Sequence, residues 1–218
     1  MIQGALLGFM GLVLAFGLSL ALGRYEERRA AVVDDANTIG TTYLRAQTLS
    51  EPMRSQSLPL LVKYTDAELA LTDDVPGSDA ADQTIAQGSA LQDQLWGLAG
   101  QAVTKEPTAT APRLYEDSLN SMIDQQAVRV AGLNNRVPTE VLLLELIGAA
   151  GAMFLVGLHV GLLGRSLTPL LLAAGLVTFL LFVTFDLDRP TRGFIQVPDA
   201  PLAELRASMN EPPAYGPP

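Results

Sequence analysis

The chain contains no cysteine and a single histidine, His159. Disulfides, thiolate metal centres and cysteine nucleophiles are therefore excluded, and one imidazole is too few for a histidine-built metal site within one chain. Charge is also scarce. Asp, Glu, Lys and Arg make up 17% of the residues, against about 25% in an ordinary soluble domain. Basic residues are the scarcer sign, 14 against 23 acidic, for a net charge of −9. A nucleic-acid partner needs clustered Lys and Arg against phosphates, so none is expected. Extended β-branched alternation is missing, which argues against strands. Walker, Rossmann and metalloprotease patterns are missing too, as is any nucleophile–base–orienter set. No enzyme activity, cofactor or metal is expected.

Long apolar runs are what the chain does have. Met1–Gly23, Val141–Gly164 and Leu167–Leu187 each hold roughly 20 residues with little or no charge, the length a helix needs to cross a bilayer core at about 1.5 Å per residue. A buried helix in a soluble protein rarely stays apolar on every face. The first run begins Met1-Ile2-Gln3-Gly4, without the basic n-region of a signal peptide, and reads as a retained anchor. Basic residues flank the spans unevenly: Arg24, Arg28 and Arg29 after the first, Arg129 and Arg136 before the second, Arg189 and Arg192 after the third. Only Arg165 lies in the turn between the second and third. The positive-inside rule then places the central segment and the C-terminal tail in the cytoplasm.

The predicted architecture is an all-α membrane protein, multi-pass in the cell membrane. Residues 1–23 form transmembrane helix 1, 24–140 a cytoplasmic antiparallel helical bundle, 141–187 a transmembrane hairpin and 188–218 a cytoplasmic tail disordered at its end. Within 24–140, Arg24–Leu49 continues the first span. Ser50-Glu51-Pro52 breaks it, with Ser50 as cap of a second helix that stops at Asp73–Gly77. A third helix covers Asp79–Val103, a loop Lys105–Pro112, and a fourth helix Arg113–Arg136. Ser166 or Thr168 caps the third span, whose first turn holds Pro169. From Leu205 onward the composition reads as a disordered tail.

Several features bear on function. Gly4, Gly8, Gly11, Ala15, Ser19 and Gly23 form a small-residue stripe on the first span, echoed by Gly157 and Gly161 on the second. Such stripes let helices approach closely in lipid, within the chain or between subunits. Glu145 near the start of the second span is either an intramembrane carboxylate on an ion or proton path or an interfacial residue. His159 reads as a packing residue. Asp186 and Asp188 are too few for a calcium cage. With Arg24, Arg28, Arg189 and Arg192 they are predicted to form a charge network that docks helices at the cytoplasmic face. The segment Val33–Arg45 is dense in small and polar residues for a helix interior, which suits close packing or the lining of a wet passage.

These blocks carry a family resemblance. Arg24-Tyr25-Glu26-Glu27-Arg28-Arg29, Asp35-Ala36-Asn37-Thr38-Ile39-Gly40-Thr41-Thr42-Tyr43-Leu44-Arg45, then Asn120, Asp124, Arg129 and Pro138, and finally Asp186-Leu187-Asp188-Arg189-Pro190-Thr191-Arg192-Gly193 with Pro201-Leu202 resemble the bacterial bestrophin-like integral membrane family. Members usually have four membrane helices, two on each side of the cytoplasmic segment, and this chain opens at what looks like the second. The resemblance implies likeness to bestrophins, which are oligomeric anion channels. The resulting expectation is a homo-oligomer in membrane lipid with a permeant ion as its ligand. Asn37, Thr38, Thr41 and Thr42 would supply polar lining and Phe9 or Phe16 an apolar constriction. The acidic cytoplasmic segment fits a cation better than an anion. The competing expectation is a non-conducting scaffold or sensor whose bundle binds a partner.

Overall fold

The structure, a computed structural model, describes residues 2–164 and 166–213. Arg165 and the predicted disordered end at 214–218 lie outside the described residues. Among those described there are seven helices and no strand: α1 (Ile2–Ala46), α2 (Met53–Asp73), α3 (Asp79–Lys105), α4 (Thr110–Asn134), α5 (Thr139–Leu162), α6 (Thr168–Leu187) and α7 (Ala200–Ser208).

Helix α1 runs 45 residues without a proline, so nothing interrupts its backbone ladder from the apolar run through the polar Val33–Arg45 segment. It ends just before Ser50-Glu51-Pro52, as the sequence predicts. The cap of α2 differs from the expectation. Its first turn is held by Glu51, whose carboxylate accepts the Ser55 backbone N–H at 3.2 Å and the Arg54 Nε at 2.9 Å. The Ser50 hydroxyl instead donates to Glu106. Gly77, at φ +78°, supplies the left-handed residue of the next turn, and the Ser78 hydroxyl caps α3 by accepting from Ala81 N at 3.2 Å. Helix α4 starts at Thr110, three residues before the predicted Arg113, because Pro112 falls in its first turn, where no N–H is needed. Gly164, at φ +62°, closes α5, and Pro169 sits in the first turn of α6. No side-chain bond caps α6 through Thr168; the Ser166 hydroxyl accepts the Thr168 N–H at 3.3 Å.

The chain divides into two compact units. The first comprises Met1–Glu26 and Asn135–Gln196. Its helices are long and apolar enough to cross a bilayer: the start of α1, α5 and α6. Large side chains such as Phe154, Leu162, Leu171, Leu172 and Phe179 point outward, the pattern of a surface solvated by lipid. Met10, Leu14 and Ala21 of α1 are buried inside this unit, Ala21 in a cluster with Val137 and Leu187. Gly148 of α5 makes room for Met10, since a Cβ there would meet the Met10 side chain.

The second unit comprises Glu27–Asn134 and Val197–Pro218. Its core joins Ile39 and Tyr43 of α1, Leu61 and Tyr64 of α2, Leu95 of α3, and Tyr115, Leu119 and Met122 of α4. Helix α7 completes it. Its Leu202 is fully buried, and Met209 just beyond it is buried too, so this part of the chain is ordered against the bundle where composition suggested none. The Arg206 guanidinium reaches Asp66 on α2 at 2.5 Å.

Candidate functional site: the open face of α1, a turn clasp and a buried ion network

Three arrangements bring together the residues singled out by sequence. The first is one face of α1. Met10, Leu14, Gly17, Ala21, Arg28, Val32, Asp35, Ile39 and Ala46 are buried, spaced three, four or seven apart. The opposite face is exposed along the whole helix: Gly4, Gly8, Gly11, Ala15, Ser19 and Gly23, then Glu26, Ala30, Asp34, Asn37, Thr41 and Leu44. A Cβ added at Gly4, Gly8, Gly11 or Gly23 would find nothing within 4 Å. The glycines of the stripe therefore pack against nothing among the described residues. Intrachain approach falls to a different glycine, Gly17, where a Cβ would collide with the carboxylate of Glu145. On α5, Gly157 makes ordinary contact with Leu170, while Gly161 is open.

Phe9 and Phe16 lie on the open side, Phe16 being 68% exposed. Asn37 and Thr41 lie there too, with Thr38 half-buried beside them. Thr42 does not join them. It is fully buried, and its hydroxyl lies 2.8 Å from the Thr38 carbonyl and 3.0 Å from the Ser118 carbonyl of α4. Thr42 is thus a packing residue rather than a lining one. Glu145 is fully buried against Gly17, and neither of its oxygens has a hydrogen-bond partner among the described residues.

The second arrangement is a clasp at the end of α6. Asp186 turns its carboxylate onto the chain that follows, accepting Phe194 N–H at 3.0 Å and Ile195 N–H at 2.8 Å. A Cβ at Gly193 would sit 2.9 Å from Asp186 Oδ1 and 3.1 Å from its carbonyl oxygen, so glycine alone fits there. Asp188 accepts Val137 N–H at 2.7 Å and ties the end of α6 to the chain entering α5. Both aspartates are buried, and these bonds run to backbone rather than to arginine side chains. Arg189 and Arg192 are exposed. Arg28 is buried in the second unit, near Gly132, and Arg24 is half-buried.

The third arrangement lies inside the second unit. Arg129 of α4 is 2% exposed and its Nη1 bridges two carboxylates, Asp35 of α1 at 2.9 Å and Glu68 of α2 at 2.6 Å. Its Nη2 donates to the Glu68 carbonyl and the Thr72 hydroxyl. Glu68 Oε1 accepts from Gln126 Nε2 at 2.5 Å, and Gln126 Oε1 accepts from Gln92 of α3 at 2.7 Å. Gln92 also donates to the Tyr64 hydroxyl at 3.1 Å. Gly88 makes room, since a Cβ there would lie 2.6 Å from Gln126 Nε2. Burial pushes the Asp35 carboxyl up to about 7, with the Glu68 charge raising it further and Arg129 opposing. Burial also holds the Tyr64 hydroxyl above its ordinary value and brings Tyr115 to about 12. Sequence reading passed over Glu68. The available signal was its place at i+4 from Tyr64 and i+7 from Leu61, on the apolar stripe of α2.

The chain resembles a bacterial bestrophin homologue from Klebsiella pneumoniae, at TM-score 0.75 and 13% identity over 95% of this chain and 84% of that one. A single-substitution variant of that homologue gives TM-score 0.77 and 12% identity over 95% and 85%. These likenesses show a shared fold. Among curated proteins nothing matches. The bestrophin-like domain pattern matches residues 5–202, nearly the whole chain, and the chain therefore belongs to the bestrophin-like family.

Proposed function

We propose that this protein is the subunit of a homo-oligomeric ion channel in a bacterial cell membrane, with its second unit in the cytoplasm. The observation that carries the reading is the open face of α1. A helix that leaves one side uncovered from Gly4 to Leu44, about 60 Å, presents that side to a neighbouring subunit, to lipid or to water. The face changes character along its length in the way a conduction path requires. It begins with glycines and Phe9 and Phe16, suited to close helix approach and to an apolar constriction that gates by dewetting. It continues with Asp34, Asn37 and Thr41, which offer oxygen ligands to a hydrated ion. The carboxylates on that face and the net charge of −9 favour cations. The excess of arginines beside Met1–Gly23 and Val141–Leu187 supports a cytoplasmic bundle.

The test is flux from liposomes containing the purified protein, with potassium, sodium and chloride measured separately. The expected result is cation flux that falls when Asp34→Asn is introduced. Absence of flux for all three ions would overturn the channel reading. The competing reading, a non-conducting scaffold, draws on one observation: a shallow groove of about 430 Å³ between α2 and α3, lined by Gln56, Pro59, Leu60, Gln94 and Leu98. Its mix of amide and apolar side chains suits a peptide segment.

A further inference from the structure

We propose that Asp35, Glu68 and Arg129 form a proton-binding site, and that the bundle grips the Glu27–Ala46 stretch of α1 more firmly when that site is occupied. Two carboxylates share one guanidinium, and all three side chains are at most 2% exposed. A buried cluster with an excess negative charge is costly, and taking up a proton is the simplest way to neutralise it. Among the described residues no second cation faces the pair. On α1 the nearest buried charge is Arg28, two turns away and engaged with its own partner. On α2, Tyr64 faces the cluster while Lys63 is exposed. On α3 the neighbours are Gln92 and Gly88, which carry no charge, and Asp93 is exposed. On α4 the neighbours are Arg129 and Gln126, with Asp124 exposed.

The hydrogen bonds also say which carboxyl takes the proton. Gln126 accepts from Gln92 through its oxygen, so its amide N–H must point at Glu68. With Arg129 on its other oxygen, Glu68 is satisfied as an anion. Asp35 is not: Oδ2 accepts from Arg129, and Oδ1 has no partner among the described residues. Protonated, Asp35 gains a hydrogen to donate to the Glu68 carboxylate that otherwise repels it.

The pH window follows from the direction of the shift. The Asp35 carboxyl is raised from 3.8 to about 7 by folding. The folded chain therefore holds a proton that the unfolded chain has released, and stability contributed by the site is full below about pH 4 and is lost as pH rises through about 7. In that window the folded-to-unfolded ratio falls by up to about tenfold per pH unit.

The experiment uses the full chain in detergent, with unfolding followed by the fluorescence of its single tryptophan, Trp96. The expected wild-type midpoint falls by several degrees between about pH 5 and about pH 8. Asp35→Asn, whose amide supplies the missing donor without a titration, is expected to flatten that dependence. A second reading is spectroscopic and does not depend on unfolding. Infrared spectra of the wild type should contain a carboxylic-acid C=O band at about pH 6 that disappears by about pH 8.5, and Asp35→Asn should lack it. Equal pH slopes in the two proteins, or no band at either pH, would overturn the proposal. Because α1 also carries Met1–Gly23, such a grip would make a channel pH-sensitive, a consequence that rests on the pore reading. Proton uptake is measured without flux, so either idea can fail alone.

Discussion

Replacing Arg129 by methionine keeps an unbranched apolar stem and removes the guanidinium with its charge. Four donor contacts disappear: those to Asp35, the Glu68 carboxylate, the Glu68 carbonyl and Thr72. More important, Asp35 and Glu68 are left facing each other in a site from which water is excluded. Removing one partner of a buried ion pair costs about 3–5 kcal/mol, chiefly because an uncompensated charge remains. Against a typical stability of about 5–15 kcal/mol, that is a large fraction. At about 4–8 °C per kcal/mol for a domain near a hundred residues, the midpoint should fall by about 12–40 °C. Trp96, on α3 within the same unit, reports the transition. The reasoning makes a second demand. Neutralising Asp35 removes part of the repulsion, so Asp35→Asn combined with Arg129→Met should lose less than the sum of the two single changes, by about 0.5–3 kcal/mol. A midpoint for Arg129→Met within about 2 °C of the parent, or strict additivity in the double variant, would refute this account of the network.

Other outcomes follow from close approaches. Gly193→Ala puts a methyl 2.9 Å from Asp186 Oδ1 and should cost on the order of 1–3 kcal/mol. Tryptic cleavage after the exposed Arg192 should then accelerate, and cleavage at the parental rate would contradict the clasp. Gly17→Ala collides with the Glu145 carboxylate and should lower the midpoint by a comparable amount, whereas Gly8→Ala meets nothing within 4 Å among the described residues of its own chain and should leave the midpoint of the dissociated subunit unchanged. Equal effects at Gly17 and Gly8 would mean that the two faces of α1 are wrongly assigned.

Much of the helical plan is legible in the sequence because the bilayer and proline impose blunt constraints. About 20 apolar residues must run together to span hydrocarbon, and helices stop or start where Pro52, Pro138 and Pro169 stand. The unbroken passage from the apolar run to Arg45 follows from the same logic, since 2–46 contains no proline. Helix α7 was not legible. It is only nine residues, its own propensity is modest, and it is held by Leu202 entering a core that local sequence cannot reveal. The direction of α1 was half legible. The glycine stripe is plain, but small residues permit contact without specifying with what, and inside this chain the contact is made by Gly17 and Gly148. Thr42 and Glu68 escaped for a related reason. A polar residue on a helix reads as solvated or lining until its partner, Ser118 in one case and Arg129 in the other, is brought to it across about 60–80 residues of chain.

The central claim is that the open face of α1 borders water along an ion path. The chain is free of cysteine, so single cysteines can be introduced without a background. Asn37→Cys and Thr41→Cys lie on the open face, and Ile39→Cys and Thr42→Cys on the buried one. In liposomes with measured cation flux, a charged thiol reagent should modify the first pair quickly and reduce flux, while leaving the second pair unmodified and conducting. Flux that is indifferent to modification at Asn37→Cys and Thr41→Cys, or that is blocked equally from Ile39→Cys, would contradict it.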